Sequence, residues 1–462
     1  MLLGLLFPSI VLSFFLSGGA FAHRPDSSRL ASELKLGPQT VRVKLSSLGR
    51  VLTIRGTDLA LSLAKKPELG NVRADEWVID CKRSVIYQPE TNKAKPIPRS
   101  GVLIESLTGI LSVNQKRFRE QIVIYPKELL SPYDDSIRTN PECLVVNHIN
   151  LERYLESVVN GEFNSQWAQA AVEAQIIAAR TYALYQMKEM RKDAGRVFDV
   201  ESTQKDQVYL GMDRVDSTAS QLVLKTRGMI MIPKDGVRGG PSDGKIVNPI
   251  KAFYHASCGG RTLLPEQVWG AKFSGFTKGV PCPYCSGAPS YRWDYRLSFR
   301  DVEARITKGI AVDSVGRKSW PEFYTNNPKR WFLVDVRSKN KANSLMASPN
   351  LEAHDLRESD ENARPGDLIF EFVDREHIER HVSIKMNAYA ARNWLDPSKL
   401  KSTWFQVRSL GRFVLFHGKG SGHGVGMCQW GAKKMGEKGF TRDQILSFYY
   451  PGVKIARLGR PE

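Results

Sequence analysis

The first 22 residues of this sequence contain no charged side chain, and nothing after them repeats that composition. Past residue 22 no segment is apolar enough to span a bilayer, which excludes a polytopic membrane protein built from helices. No internal repeat and no extended low-complexity run occurs, so a solenoid is excluded as well. Acidic residues are scarce, with 48 Asp and Glu against 67 Lys and Arg and a formal charge of +19. Cysteine is confined to six positions in 462 residues. What remains is an ordinary globular composition, 42% hydrophobic and 25% charged, in a chain long enough for two or three structural units.

Met1 to Ala22 is rich in Leu, Phe and Val and ends Ala20-Phe21-Ala22, the pattern of a signal peptide with a small-residue cleavage site. Neither Lys nor Arg precedes the apolar run, so a segment retained as a membrane anchor is the competing reading. No Cys follows the cleavage site, which excludes a lipid anchor there. The expected location is therefore outside the cytoplasm, periplasmic or extracellular. In a cytoplasmic protein a charge of +19 would point to nucleic acid. On an exported chain, spread without a basic tract, it argues against nucleic acid and for an anionic polymer of the wall. A solvated basic surface is the plainer alternative.

From about Thr40 to Lys127 short apolar alternations such as Val41–Leu45, Val51–Ile54 and Gln121–Ile124 predict strands of a β-rich unit. Asn150 is placed to cap a helix whose stripe is Leu151, Tyr154, Leu155, Val158 and Val159, ending at Asn160-Gly161. Ser165 is expected to cap a second helix from Gln166 to about Lys192, leaving Glu162-Phe163-Asn164 in the corner between them. Leu222-Val223-Leu224 and Ala252-Phe253-Tyr254 read as strands. So does Phe413–Phe416, followed by a Gly-rich turn and helices from Gln429 to about Lys438 and from Arg442 to Tyr449. The expected division is 1–22 signal segment, 23–130 β-rich region, 131–305 first part of a mixed core, 306–384 elaboration or insertion, and 385–462 the rest of the core.

Three segments carry a resemblance. The first is Tyr154-Leu155-Glu156-Ser157-Val158-Val159-Asn160-Gly161-Glu162-Phe163, continuing through Trp167 to Ala174–Leu184 with Gln175, Arg180 and Tyr182. The second is Gln207-Val208-Tyr209-Leu210-Gly211, then Tyr254-His255-Ala256-Ser257-Cys258-Gly259-Gly260. The third is Gly422-His423-Gly424-Val425-Gly426-Met427-Cys428-Gln429-Trp430-Gly431, with Tyr449-Tyr450-Pro451-Gly452 behind it. Together and in this order they resemble the stage II sporulation protein D family, which includes amidase-enhancer relatives. Phe163, Gln166, Glu173 and Cys428 stand where the family commonly has Met, Pro, Lys and Ser. The resemblance implies an α+β protein, a β-rich N-terminal unit plus a mixed helix/strand catalytic core with a substrate groove and an insertion. The implied activity is lytic transglycosylation of peptidoglycan glycan strands, on strands whose stem peptides an amidase has removed.

Such an enzyme needs one carboxyl group that protonates the glycosidic oxygen and then accepts a proton from the sugar's C6 hydroxyl as it closes onto C1. A hydrolase would use two carboxylates, and Glu201 and Asp206 are the first places to look for a second. By resemblance the single acid is Glu162, with Phe163 and Trp167 able to raise its pKa. Arg180 would hold a substrate carboxylate, or form an ion pair with a neighbouring Glu. Gln175, Tyr182, Gln207, Tyr209, His423 and Gln429 are the candidate sugar contacts, although Tyr182 and Tyr209 suit a core equally and His423 a structural role. The Gly420–Gly426 turn lacks a following Lys-Ser or Lys-Thr and does not read as a phosphate loop.

The cysteine spacing is a separate signal. His255-x-x-Cys258 and Cys282-x-x-Cys285 offer one imidazole and three thiolates, a complete tetrahedral set for one structural zinc. The competing reading is a Cys282–Cys285 disulfide, which export would favour. Cys81 and Cys143 remain for a bridge, and Cys428 is left over.

Overall fold

Apolar alternation sets the first half of the architecture. The computed structural model describes residues 39–46, 48–64, 72–91, 93–126, 143–234, 248–312, 321–338 and 367–458. The signal segment lies outside them. Within them the alternating runs form strands β1 (Thr40–Lys44), β2 (Val51–Leu63), β3 (Val72–Asp80), β4 (Val85–Tyr87), β5 (Lys95–Pro96), β6 (Val102–Val113), β7 (Lys116–Pro126), β8 (Cys143–Asn150) and β9 (Val200–Glu201). They make one nine-stranded sheet in the order β5-β4-β3-β2-β6-β7-β8-β1-β9. The β6–β7 hairpin turns through Asn114 and Gln115, both at positive φ (49° and 71°), as a two-residue turn matched to strand twist requires. Asn114 also accepts the Thr53 N–H at 2.8 Å, which ties this turn to β2. A disulfide joins Cys81, just after β3, to Cys143 at the start of β8.

Helix α1 (Leu151–Glu162) begins where the sequence predicts, with the Asn150 side chain accepting the Glu152 N–H at 2.9 Å. Its apolar stripe is buried against the sheet. It runs past Asn160-Gly161 and ends at Glu162. Helix α2 (Gln169–Met190) starts three residues later than expected. Ser165 does not cap it, because its hydroxyl donates to Asp216 at 2.6 Å, and Ala168 takes the capping position with no side-chain bond. Leu222-Val223-Leu224 is helical, not a strand. Asp216 caps a third helix, α3 (Ser217–Lys225), and the triplet is amphipathic, with Leu222 and Val223 buried and Leu224 exposed. Ala252 and Phe253 are not in a strand either; only Tyr254–His255 pairs, with Met427–Cys428.

Helix α2 is the axle of the molecule. Val172, Ile176, Ala179, Ala183 and Met187 belong to the core under the sheet. Ala171, Ala174, Ala178 and Tyr182 belong to a second core, shared with the C-terminal helices Gln429–Glu437 and Arg442–Tyr449. Small side chains on that face let those helices approach closely. A third core lies between two three-stranded sheets, Arg292–Ser298/Phe413–Lys419/Phe405–Leu410 and Trp331–Ser338/Asp367–Asp374/His381–Asn387. They are joined where the Val336 N–H donates to Ser409 Oγ at 2.8 Å. The fold is α+β.

Arg180, on α2, is fully buried. Its Nε and Nη2 donate to Glu152 Oε1 and Oε2 at 3.0 and 2.7 Å, and Nη1 donates to the Met229 carbonyl at 3.2 Å. Nη2 also reaches the Val223 carbonyl and the Thr226 hydroxyl, each at 3.4 Å. One guanidinium therefore fastens α1, α3 and the strand Met229–Pro233 to α2. Of the two expected roles, the structural ion pair is the one found, and no part of the group is open to a ligand. Replacing one member of a buried pair strands the other. Arg180→Met should therefore lower unfolding free energy by about 3 kcal/mol in urea titration, and Arg180→Met with Glu152→Gln should recover part of that loss. Wild-type stability in the single variant would refute the assignment.

Candidate active site

Glu162 is the last residue of α1, and the chain leaves it in extended conformation at Phe163. A Cβ on Gly161 would lie 2.1 Å from the Val208 carbonyl oxygen, so only glycine lets the Gln207–Leu210 segment cross here. That crossing brings the Val208 N–H onto Glu162 Oε1. From the other side Gln429 Nε2 donates to the Glu162 main-chain carbonyl at 3.0 Å. Phe163 and Trp167 meet edge to face with centroids 4.5 Å apart, and Trp430 lies 5.1 Å beyond Trp167. Burial pushes the Glu162 carboxyl up to about 7, against the opposing Val208 N–H. Glu162 as a residue is half-buried.

The expected sugar contacts lie beneath this carboxyl more than around it. Gln207 is fully buried; it accepts from the Tyr154 hydroxyl at 2.9 Å and donates to the Tyr254 hydroxyl at 2.9 Å and the Ala179 carbonyl at 3.2 Å. Tyr182 donates to Asp206 Oδ1 at 2.8 Å. Tyr209 donates to Asn147 at 2.7 Å and stacks on Tyr154. Gln175 is buried on α2, and neither amide atom has a hydrogen-bond partner among the described residues. Gln429 positions the Glu162 backbone. These residues form a floor that fixes Tyr154, Tyr182 and Tyr254 near the carboxyl.

His423 is half-buried among rings, with centroids 5.1 Å from Trp269, 5.5 Å from His255 and 5.8 Å from Phe253. Its Nδ1 accepts the Val425 N–H at 3.1 Å, which fixes the tautomer with hydrogen on Nε2. Burial, then His255 and Arg392, hold its pKa down at about 3, so the ring is neutral near pH 7. Phe253 was read only as part of a strand, and Trp269, Phe273 and Lys251 were not singled out from sequence. Only the fold groups them, with Phe253 and Trp269 against His423 and Lys251 over Phe253 and Phe273.

The thiol cluster differs from the expected metal set. Cys258, Cys282, Cys285 and Cys428 are all buried, and their sulfurs lie within 4.8 Å of one another. Cys428 replaces His255, whose Nδ1–H instead donates to the Val425 carbonyl at 3.0 Å. Cys428 caps the helix Gln429–Glu437, and its sulfur receives N–H groups from Gly431 at 3.4 Å and Cys258 at 3.3 Å. A metal with four thiolates at about 2.3 Å separates its sulfurs by about 3.8 Å, and Cys258 and Cys285 sit 3.5 Å apart. The donor set thus fits a metal ion. Cys282 and Cys285 are free thiols, not a disulfide.

Residues 139–232, which contain Glu162, Arg180 and the Gln207–Leu210 crossing, match the family model described as stage II sporulation protein. Over these residues the chain is similar to the stage II sporulation protein D family. Among relatives, an uncharacterized protein of Brachyspira hyodysenteriae is 28% identical over 76% of this chain and 77% of its own length. The amidase enhancer of Bacillus subtilis is 25% identical over 65% of this chain but only 40% of that protein. Stage II sporulation protein D of Bacillus subtilis is 24% identical over 67% of this chain and 76% of that one.

The raised pKa of Glu162 has a thermodynamic signature. Between the ordinary value of 4.5 and about 7 the unfolded chain is ionised at this residue and the folded chain is not. Its contribution to stability therefore falls as pH rises through that window. Glu162→Gln removes the effect while keeping the shape. Its melting temperature, relative to wild type, should be higher at pH 8 than at pH 4.5. An unchanged difference across that range would mean the carboxyl ionises normally.

Proposed function

We propose that this protein is a peptidoglycan lytic transglycosylase and that Glu162 is its single general acid and base. The observation that carries the reading is the carboxyl of a half-buried glutamate whose pKa burial pushes up to about 7, the value such a group needs to donate a proton near neutrality. Neutral Glu162 protonates the glycosidic oxygen as the C1–O bond breaks. The C6 hydroxyl of the same muramyl sugar then closes onto C1 and yields its proton to the Glu162 carboxylate. The acid is regenerated and no water enters the product.

A hydrolase would use a second carboxylate. Asp206 is tied up: Oδ1 accepts from Tyr182 and Gln186, and Oδ2 accepts the Glu201 N–H at 2.8 Å. Glu201 is flanked by Lys44 and Lys205 at 3.7 and 3.8 Å. Both engagements favour the one-carboxyl chemistry. The substrate is then glycan freed of stem peptides, which places an amidase upstream and the protein outside the cytoplasm. The amidase-enhancer relative supports a second reading, in which the protein binds glycan and stimulates an amidase without cutting.

The four cysteines would hold one zinc, with every coordination position filled by thiolate, so that the ion braces the fold and activates no water.

Mass spectrometry of purified denuded strands after digestion separates the readings: 1,6-anhydro ends for a transglycosylase, reducing ends for a hydrolase, intact strands for an enhancer. Glu162→Gln should lower cleavage at least about 100-fold while still binding strands. Elemental analysis should find one zinc per chain. Cys428→Ser should reduce both metal content and melting temperature, whereas His255→Ala should keep the metal. Loss of zinc in the His255 variant with retention in the Cys428 variant would reverse the ligand assignment.

A further inference from the structure

Lys251 carries a charge that the mechanism above leaves unused. Its Nζ lies 5.3 Å from the Phe253 ring centroid, 5.5 Å from Phe273 and 5.7 Å from Tyr185. It makes no ion pair with any described carboxylate. Asp206 and Glu189 act on it only at longer range, against the partial burial that disfavours its charge. A cation held over aromatic faces and partly stripped of water is stabilised by the rings, yet retains its demand for an anion.

The rings around it continue toward Glu162. Phe253 contacts Trp269 at 4.6 Å, Phe273 at 5.3 Å and Tyr182 at 6.4 Å between centroids. Tyr182 in turn lies close enough to Glu162 for that charge to act on its hydroxyl. Lys251, Phe253, Trp269 and Phe273 are each partly exposed, with Phe273 set edge-on to Phe253 at 84° and Trp269 tilted from it by 33°. Partly exposed aromatic rings suit the apolar C–H face of a sugar, and an ammonium beside them suits a carboxylate.

We propose that Lys251 binds the free lactyl carboxylate of a muramyl residue, with Phe253, Trp269 and Phe273 supporting the sugar ring. This rests on the glycan-strand reading above and deepens it by assigning the choice of peptide-free strands to one side chain. A stem peptide converts the carboxylate to an amide, removes its charge and leaves Lys251 without a partner. The discrimination is then local, distinct from the general attraction of a chain of charge +19 for any polyanion.

The test uses full-length protein carrying Glu162→Gln, so that strands are bound and not cut. Denuded strands are offered with carboxylates free, or after carbodiimide coupling to methylamine, which keeps the glycan and abolishes its charge. Free strands should bind at least about 10-fold more tightly than methylamidated ones, a difference of about 1.4 kcal/mol. Adding Lys251→Met should abolish most of that preference, and Lys251→Arg should retain it. Equal binding of free and methylamidated strands by the Glu162→Gln protein would overturn the assignment without touching the glycan reading. So would an undiminished preference in a folded Lys251→Met variant. Binding of neither strand would overturn both.

Discussion

The site depends on one steric fact, the crossing of two backbones at Gly161 and Val208. With a Cβ absent at Gly161, the Val208 carbonyl approaches to a distance that no other residue permits. Everything peculiar to Glu162 follows from that approach. The carboxyl is covered by a peptide segment, which raises its pKa, and receives one N–H, which orients it and tempers the rise. The two effects oppose each other. Desolvation wins, and the residue stays protonated where an ordinary glutamate would not. The same segment continues into Gln207 and Tyr209, whose buried hydrogen bonds to Tyr154 and Asn147 hold the crossing in place.

Rigidity beneath the carboxyl comes from α2, which is covered on nearly all sides. A helix of that kind needs polar anchoring to fix its rotation, and Arg180 supplies it with a bidentate bond to Glu152 and bonds to the neighbouring backbone. Motif similarity alone would place this arginine against substrate. Its complete burial places it in the scaffold, where its necessity would be expressed as stability.

What was legible in the sequence shares a physical property: it is local. Asn150 capping α1, the helix Arg442–Tyr449 and the apolar strands depend on residues a few positions apart. Glu162 was singled out by the motif around it, and its neighbours in space could not be read. Most of the misses are non-local, with Leu222-Val223-Leu224 the exception. Leu222-Val223-Leu224 looked like a strand until Asp216, a cap six residues upstream, was seen to start a helix. His255 and Cys258 made a plausible chelating pair by spacing. The fourth thiol comes instead from Cys428, which strand pairing sets beside His255 in register. Lys251 and its rings are assembled from three separate segments, and local composition did not reveal the grouping.

The thiol cluster and the carboxyl look like separate features, yet three consecutive residues join them. Cys428 belongs to the cluster, Gln429 holds the Glu162 carbonyl, and Trp430 stacks toward Trp167 and Phe163. All three sit at the start of one short helix, so anything that fixes the sulfur of Cys428 fixes the other two. Four crowded, buried thiols do not ionise together without a cation, and a protonated cluster is the looser arrangement. An ion held there would act on the proton chemistry of Glu162 without touching it. It would do so by setting the position of the helix that closes the site. If Glu162 is the acid proposed above, the service of a closed coordination set so near it would be mechanical, and an open position would add nothing to it.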